Sequence, residues 1–390
     1  MNYILFDDHL REQFLPLSFT RPIGELRLGI LTLKEKWKHY LKTSISYKTE
    51  TYLASKYPEK LEAENLYINT RYLPSTALIA AIKNLEFGQV LKHEGIVLAY
   101  LLKKEESIDL AALQDIQVDF EIEYIETVTD LFSKNHSAIH SDFKLLTYGR
   151  ISQPIPDIVT CFNKSQIFIE EGAKLYNGTL NATEGPIYIG KDSEVMENSS
   201  IRGPFALCEH STIKMGAKIY TGTTVGPYSK VGGEVNNSMI LGNYNKGHDG
   251  YLGNSVIGEW CNLGADTNTS NLKNNYANVK LWDYKSSRFK DSGLQFCGLI
   301  MGDHSKCSIN MMFNTGTIIG VSANIFGSGF PRNFIPSFSW VGSQGTITYK
   351  LDKVFEVAEL VMQRRGIRLS ENDKAILQHL FTITKVHRRD

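Results

Sequence analysis

Three arginines pose the first chemical question. Arg11, Arg21 and Arg27 stand in R-EQFLPLSFT-R-PIGEL-R, ten and six residues apart. Guanidinium groups bind phosphate oxygens in pairs, so this cluster suits a phosphorylated ligand. The same three residues would also serve as solvated arginines around a helix start. No P-loop and no GxGxxG occurs in this half of the chain, so a phosphate would be held by side chains rather than by a glycine cradle. A second set is His210, His248 and His304, spaced 38 and 56 residues apart. Imidazole takes up a proton near neutral pH and also ligates zinc. Zinc sites on coiled strands hold their ligands in closely related turns, which these spacings do not match. Cys161, Cys208, Cys261, Cys297 and Cys307 are odd in number and contain no CxxC pair, the usage of a reducing, cytoplasmic compartment.

The elements that must position these groups change character half-way along the chain. Stepping by six from Ile189 meets Val195, Ile201, Leu207, Ile213, Ile219, Val225 and Val231 without a miss. Two residues before most of these anchors stands a small residue, as at Ser193, Ser199, Ser211 and Ala217. The grid continues, shifted in phase, through Ile169, Leu175 and Ile187 upstream and Ile257, Leu263, Met301, Cys307, Phe313, Ile319 and Ile325 downstream. Neither the helical nor the alternating-strand period gives a strict period of six. A parallel β-helix of the hexapeptide type does. Gly190, Gly216, Gly226, Gly232, Gly253 and Gly258 adjoin anchors, where a corner would call for positive φ. Residues 232–248 and 265–297 read as excursions from the coil. Residues 1–150 read as a mixed α/β domain, with strands at YILF, LYIN and GIVLAYLL and helices at GELRLGILTLKEKWKHYL and STALIAAIKNL. SQPIPDIV marks the boundary. The organisation expected is an α/β domain over 1–150, a β-helix over 160–345 and a helical extension over 346–390. In that extension Ser370 and Asp373 form a capping box, and the helices cover the open end of the coil or pack between subunits.

Composition narrows the function classes. Lys+Arg and Asp+Glu both number 42 in 390 residues, so no broad basic field exists to draw in nucleic acid. No apolar run is long enough to span a membrane, and the N-terminus does not read as a signal peptide. Arg364-Arg365 and Arg388-Arg389 would be exposed helix ends and a solvated tail, or would meet the phosphates of coenzyme A.

The long motifs FLPLSFTRPIGELRLGILTLKEKW, GPIYIGKDSEV, IRGPFALCEHS, KVGGEVNNS, KGHDGYLGNSVIGEWCNLGADTN, LQFCGLIMGDHSK and GFPRNFIPSFSW resemble a known family across essentially the whole chain. It is the bifunctional bacterial enzyme family that makes UDP-N-acetylglucosamine, and more closely a divergent branch of sugar nucleotidyltransferases. The resemblance implies a nucleotidyltransferase-like α/β domain followed by a left-handed parallel β-helix with terminal α-helices. It implies a homotrimer that acts on a sugar phosphate or nucleotide sugar, with acetyl-CoA as acyl donor. His248, in Lys246-Gly247-His248-Asp249-Gly250-Tyr251, matches the base that takes a proton from the sugar amine, a role suited to imidazole. Glu234 matches a residue that orients or supports it. Lys246, Tyr251, Asn262 and Asn271 match sugar-site positions. The family's sugar-binding lysine falls on Asn236, and its phosphate-binding arginine falls near Lys218. In the first half, Arg11 and Arg21 keep the family's ten-residue separation. The glycine loop is replaced by FDDHLREQF, and Asn69-Thr70-Arg71 stands where a magnesium-binding aspartate is expected. Asp130, with Asp7 or Asp8, would then hold Mg²⁺ beside UTP. Two alternatives stand beside this reading: a sugar nucleotidyltransferase with a purely structural β-helix, and a non-catalytic sugar-nucleotide-binding scaffold.

Overall fold

A computed structural model describes residues 1–104 and 109–388; Arg389 of the terminal basic pair lies outside them. The chain divides into two compact units. The first comprises residues 1–14, 20–26 and 31–127, and the second comprises 15–19, 27–30 and 128–390.

The first unit is built on a six-stranded sheet. Asn2–Phe6 pairs in parallel with Ile45–Lys48 on one side and with Glu64–Asn69 on the other. Glu64–Asn69 then pairs antiparallel with Ile96–Lys103. Leu5, Leu66 and Ile68 are wholly buried, so these short apolar runs behave as interior strands with both faces covered. Helix Leu33–Leu41 packs through Trp37, whose indole N–H donates to the Tyr72 carbonyl at 3.0 Å. The sequence pattern predicts a helix from Gly24 onward, but it begins only at Leu33, after a capping box between Thr32 and Glu35. Upstream, Gly29 has φ 74°, outside the helical region, and the Gly29 and Ile30 amides donate to the Asn135 and Asp142 side chains. Helix Thr76–Lys83 starts where Ser75 caps it.

The second unit is a parallel β-solenoid. One face stacks nine short strands from Ile167–Ile169 to Phe334–Ile335, and two further sets of strands line the other faces. The eight residues from Ile189 to Val231 on the six-residue grid are all at most 3% exposed and share one core. Three such steps make one coil: Ile187 pairs with Phe205, and Phe205 with Thr223, eighteen residues apart each time. The small residues before the anchors are buried too, and the Ser193 and Ser211 hydroxyls donate to the Gly190 and Gly226 carbonyls. Burial without a partner would be costly, so the hydroxyl is part of the corner's design.

Two expectations change here. Residues 232–248 do not leave the coil. Thr224 pairs with Met239 and Met239 with Val256, so the coil shortens to fifteen and seventeen residues and continues. The glycine role changes as well. Of the six glycines named above, only Gly216 has positive φ. A Cβ on Gly190 or Gly258 would instead collide with backbone of the following coil. The left-handed corners are taken by Asp192, His210, Tyr228, Asn243, Trp260, His304, Ser322 and Phe338. His210 stacks on Tyr228 and His304 on Trp260, which accounts for both histidines as corner residues. The second excursion is real. Its antiparallel hairpin, Lys280–Asp283 with Arg288–Asp291, stands outside the coil before Ile300 resumes register with Val256.

Helix Asn135–Thr147 is clamped to the solenoid by the buried Asn135, which donates to the Gly222 carbonyl and the Thr224 hydroxyl. At the far end, helix Glu371–Ile383 begins at the Ser370–Asp373 capping box, and Phe381 meets Phe338 of the last coil edge to face. Arg388 is not a solvated tail residue. It lies over both rings and donates to the Phe381 and Ser337 carbonyls.

Candidate functional site

The solenoid face carrying the histidine turn is built from three adjacent parallel strands. Lys218, Glu234 and Tyr251 occupy one row across them, and Ile219, Val235 and Leu252 the next. The second row is at most 1% exposed, so its neighbours point outward by the alternation of a strand. The outward groups form a polar surface. The Lys218 ammonium lies 4.0 Å from the Glu234 carboxylate. Asn271 donates to the Tyr251 hydroxyl at 3.0 Å and to the Asn254 side-chain oxygen at 2.7 Å. Burial pushes the Tyr251 hydroxyl above its ordinary pKa, opposed by hydrogen bonds from Asn236 and Asn271. A Cβ on Gly253 would overlap the Tyr251 hydroxyl, so a larger residue there requires the Tyr251 ring to move.

His248 is exposed on the turn that delivers the chain to Tyr251. The turn is fastened from within. Lys246, at an anchor position opposite Val231, is completely buried and donates to the carbonyls of His248, Asp249 and Gly250 at 2.9–3.0 Å. Burial lowers its pKa to about 8 against the pull of Asp249, Asp266 and Cys307. Lys246 is therefore a support of the loop, and its ammonium is spent on backbone oxygens rather than presented to a ligand. Glu234 makes its ion pair with Lys218 and has no hydrogen bond to His248 among the described residues. Asn262 is on the neighbouring face, where it accepts from Asn245 at 2.8 Å. The structure thus gathers Lys218, Glu234, Asn236, Tyr251 and Asn271 on one face and leaves Asn262 outside that group.

In the first unit, Asp7 and Asp8 follow strand Asn2–Phe6, and Asn69-Thr70-Arg71 ends its parallel neighbour. Carboxyl ends of adjacent parallel strands are where open α/β sheets bind ligands. Here, however, protein groups fill the place. Arg71, fully buried, grips Asp8 in a two-pronged ion pair, Nε to Oδ1 at 2.9 Å and Nη2 to Oδ2 at 2.6 Å. Asn69 donates to the same carboxylate, and together these donors outweigh burial and hold Asp8 below the usual carboxylate range. Asp7 accepts from the Ile23 amide at 3.0 Å and the Thr49 hydroxyl at 2.6 Å, with the Arg11 Nε 3.3 Å away. Burial still raises its pKa to about 6.

A family model described as sugar nucleotidyl transferase matches residues 3–151. The chain is 34% identical over 152 residues to the bifunctional protein GlmU of Methanocaldococcus jannaschii, covering 39% of this chain and 33% of that one. It is 35% identical over 163 residues to a bifunctional sugar-1-phosphate nucleotidylyltransferase/acetyltransferase of Sulfurisphaera tokodaii, covering 42% and 36%. The matches thus span about a third of these relatives' length. The polySia specific acetyltransferase NeuO is a solved structure matched at 13% identity over 49% of this chain and 85% of its own, with a TM-score of 0.21.

The sugar nucleotidyl transferase segment does not fit the magnesium site expected of it. Asp8 is neutralised by Arg71 and Asp7 faces Arg11, while Asp130, which belongs to the other compact unit, lies 3.9 Å from the Lys134 ammonium. Among the described residues no group of three or more His, Cys, Asp or Glu is gathered to hold a metal ion. The three arginines are also buried rather than solvated. Arg11, Arg21 and Arg27 are 6–8% exposed, Arg11 binds the Tyr52 hydroxyl, and Arg27, in the second unit, donates to the Ile30 carbonyl. Sequence reasoning missed Arg71 as the partner of Asp8. A positive residue where a metal carboxylate was expected was the available signal. No helix among the described residues is long and apolar enough to cross a membrane.

Proposed function

We propose that the chain is a transferase of amino-sugar nucleotide metabolism. Its solenoid transfers an acetyl group from acetyl-CoA to the amine of a sugar phosphate or nucleotide sugar, with His248 as the base. The observation that carries this reading is the turn itself: an exposed imidazole on a loop pinned from below by Lys246 and bordered by the Tyr251–Asn236–Asn271 polar surface. His248 accepts the amine proton as the nitrogen attacks the thioester carbonyl; the C–N bond forms, the C–S bond breaks, and the proton passes to the departing thiolate. Tyr251, Asn236 and Asn271 offer neutral donors and acceptors to sugar hydroxyls, and Lys218 offers a cation to a phosphate. The working form is a homotrimer, which light scattering of the full chain checks. Thiol release from acetyl-CoA with a panel of amino-sugar phosphates and nucleotide sugars tests the activity. No release with any acceptor sinks it.

For residues 3–151 we infer binding of a sugar phosphate or nucleotide sugar without magnesium-dependent uridylyl transfer. The Asp8–Arg71 pair favours this second reading. Pyrophosphate release from UTP, Mg²⁺ and N-acetylglucosamine 1-phosphate is expected to be absent, and its appearance would overturn the reading.

A further inference from the structure

The hairpin Lys280–Asp283/Arg288–Asp291, the glycine-rich segment 327–332 and the last coil line a half-open cavity of about 1310 Å³ within the second unit. Its lining is one-sided in charge. Lys273, Lys280, Arg332 and Arg388 contribute cations, and no aspartate or glutamate is among the described residues around it. In a chain with as many acids as bases, this is a local cationic field beside apolar walls, where an anion is held more strongly than in bulk water. Lys280 and Arg332 are exposed and in no ion pair among the described residues, so both are available to a ligand. The apolar walls are aromatic. Trp282 and Phe334 stack with centroids 4.1 Å apart and planes 9° from parallel, and Phe330 stands beside them 61% exposed. The Trp282 indole N–H is buried without a hydrogen-bond partner, a donor of the kind native interiors seldom leave unpaired. Gly327 and Gly329, both in the lining, have φ of 126° and 81°, a conformation that favours glycine.

We propose that this cavity binds a nucleoside diphosphate group, its phosphates on Lys280 and Arg332 and its base against the aromatic wall. Guanidinium and ammonium suit the phosphate oxygens, and a flat ring suits an aromatic platform. The site is separate from the His248 turn, and the proposal stands whether or not that turn transfers acetyl groups. The group has two sources, a free nucleotide or the nucleotide end of coenzyme A.

The test is calorimetric titration of the full chain with ADP, UDP, coenzyme A and inorganic pyrophosphate, repeated on Lys280→Ala/Arg332→Ala and on Lys174→Ala, an exposed lysine outside the lining. Both double-variant positions are exposed, so folding is preserved, and circular dichroism checks this. The expected result is binding of at least one nucleotide that weakens about tenfold or more in the double variant, as for lost charge-assisted contacts, and is unchanged in Lys174→Ala. Tighter binding of coenzyme A than of ADP identifies the cofactor as the source; tighter binding of ADP or UDP identifies a free nucleotide. No binding by any nucleotide, pyrophosphate binding as tightly as the nucleotides, or equal affinity in the double variant each overturns the proposal.

Discussion

Replacing Lys246 by methionine has an effect that depends on pH in a calculable way. The ammonium satisfies three carbonyl oxygens of the histidine turn but stands in the solenoid interior, where burial lowers its pKa from 10.5 to about 8. An unfolded chain holds this proton up to about 10.5 and the folded chain only to about 8. Between those values the unfolded state binds more protons, so stability rises with pH. The gap, at about 1.4 kcal/mol per pH unit, corresponds to about 3 kcal/mol. Methionine removes both the buried charge and the donors, and each orphaned carbonyl costs about 1–3 kcal/mol. Near pH 7 the burial cost of about 3 kcal/mol offsets only part of the loss of the three carbonyl contacts. Toward pH 10.5 only the loss of donors remains, so the wild type should gain about 3 kcal/mol on the variant. Urea unfolding of both proteins at pH 7, 8.5 and 10, followed by circular dichroism, measures the difference directly. Every other titrating group is shared and cancels. A difference that stays flat with pH would refute the placement of a charged lysine inside the coil.

The remaining predictions concern the two surfaces. His248→Ala should lower acetyl transfer about 100-fold or more without changing the circular dichroism spectrum, because the side chain is exposed. Gly253→Ala should displace the Tyr251 ring and raise KM for the sugar acceptor more than it lowers kcat, which steady-state kinetics separates. Arg71→Met leaves the Asp8 carboxylate without its buried partner and should cost about 3–5 kcal/mol, whereas Asp8→Asn/Arg71→Met should cost less; chemical unfolding compares them. Asp7, raised to about 6, binds its proton more tightly folded than unfolded, so its contribution is present at low pH and fades as pH rises through 6. Asp7→Asn should therefore flatten the stability profile between pH 4 and 7, as measured by thermal melts.

The solenoid was legible because each anchor from Ile189 to Val231 has one task, pointing inward, and a coil of three equal steps repeats it. The shortened coils were not, since a fifteen-residue step from Thr224 to Met239 breaks the grid while leaving the stacking intact. Lys246 reads from the sequence as a sugar-site residue for a related reason: a charged residue at an anchor position looks like a ligand contact unless the carbonyls it serves are visible. Glycines beside anchors suggested corner dihedrals, yet the constraint on Gly190 and Gly258 comes from the next coil, seventeen or more residues away in sequence. The arginines of the first half show the same limit. Spacing identifies Arg11, Arg21 and Arg27 as a group, but burial and unit membership depend on contacts that spacing does not carry.

The chain leaves the coil after Thr269 and Ile300 re-enters it opposite Val256, as though the intervening hairpin had never been threaded in. In a structure where each layer answers only to its neighbours, such a graft leaves the register of the column intact. It stays tied to the column by side chains, with Trp282 stacked on Phe334 and Val279 and Cys297 wholly buried. An engineer seeking a new ligand preference would re-cut the exposed turn 285–288 first and leave those buried residues in place.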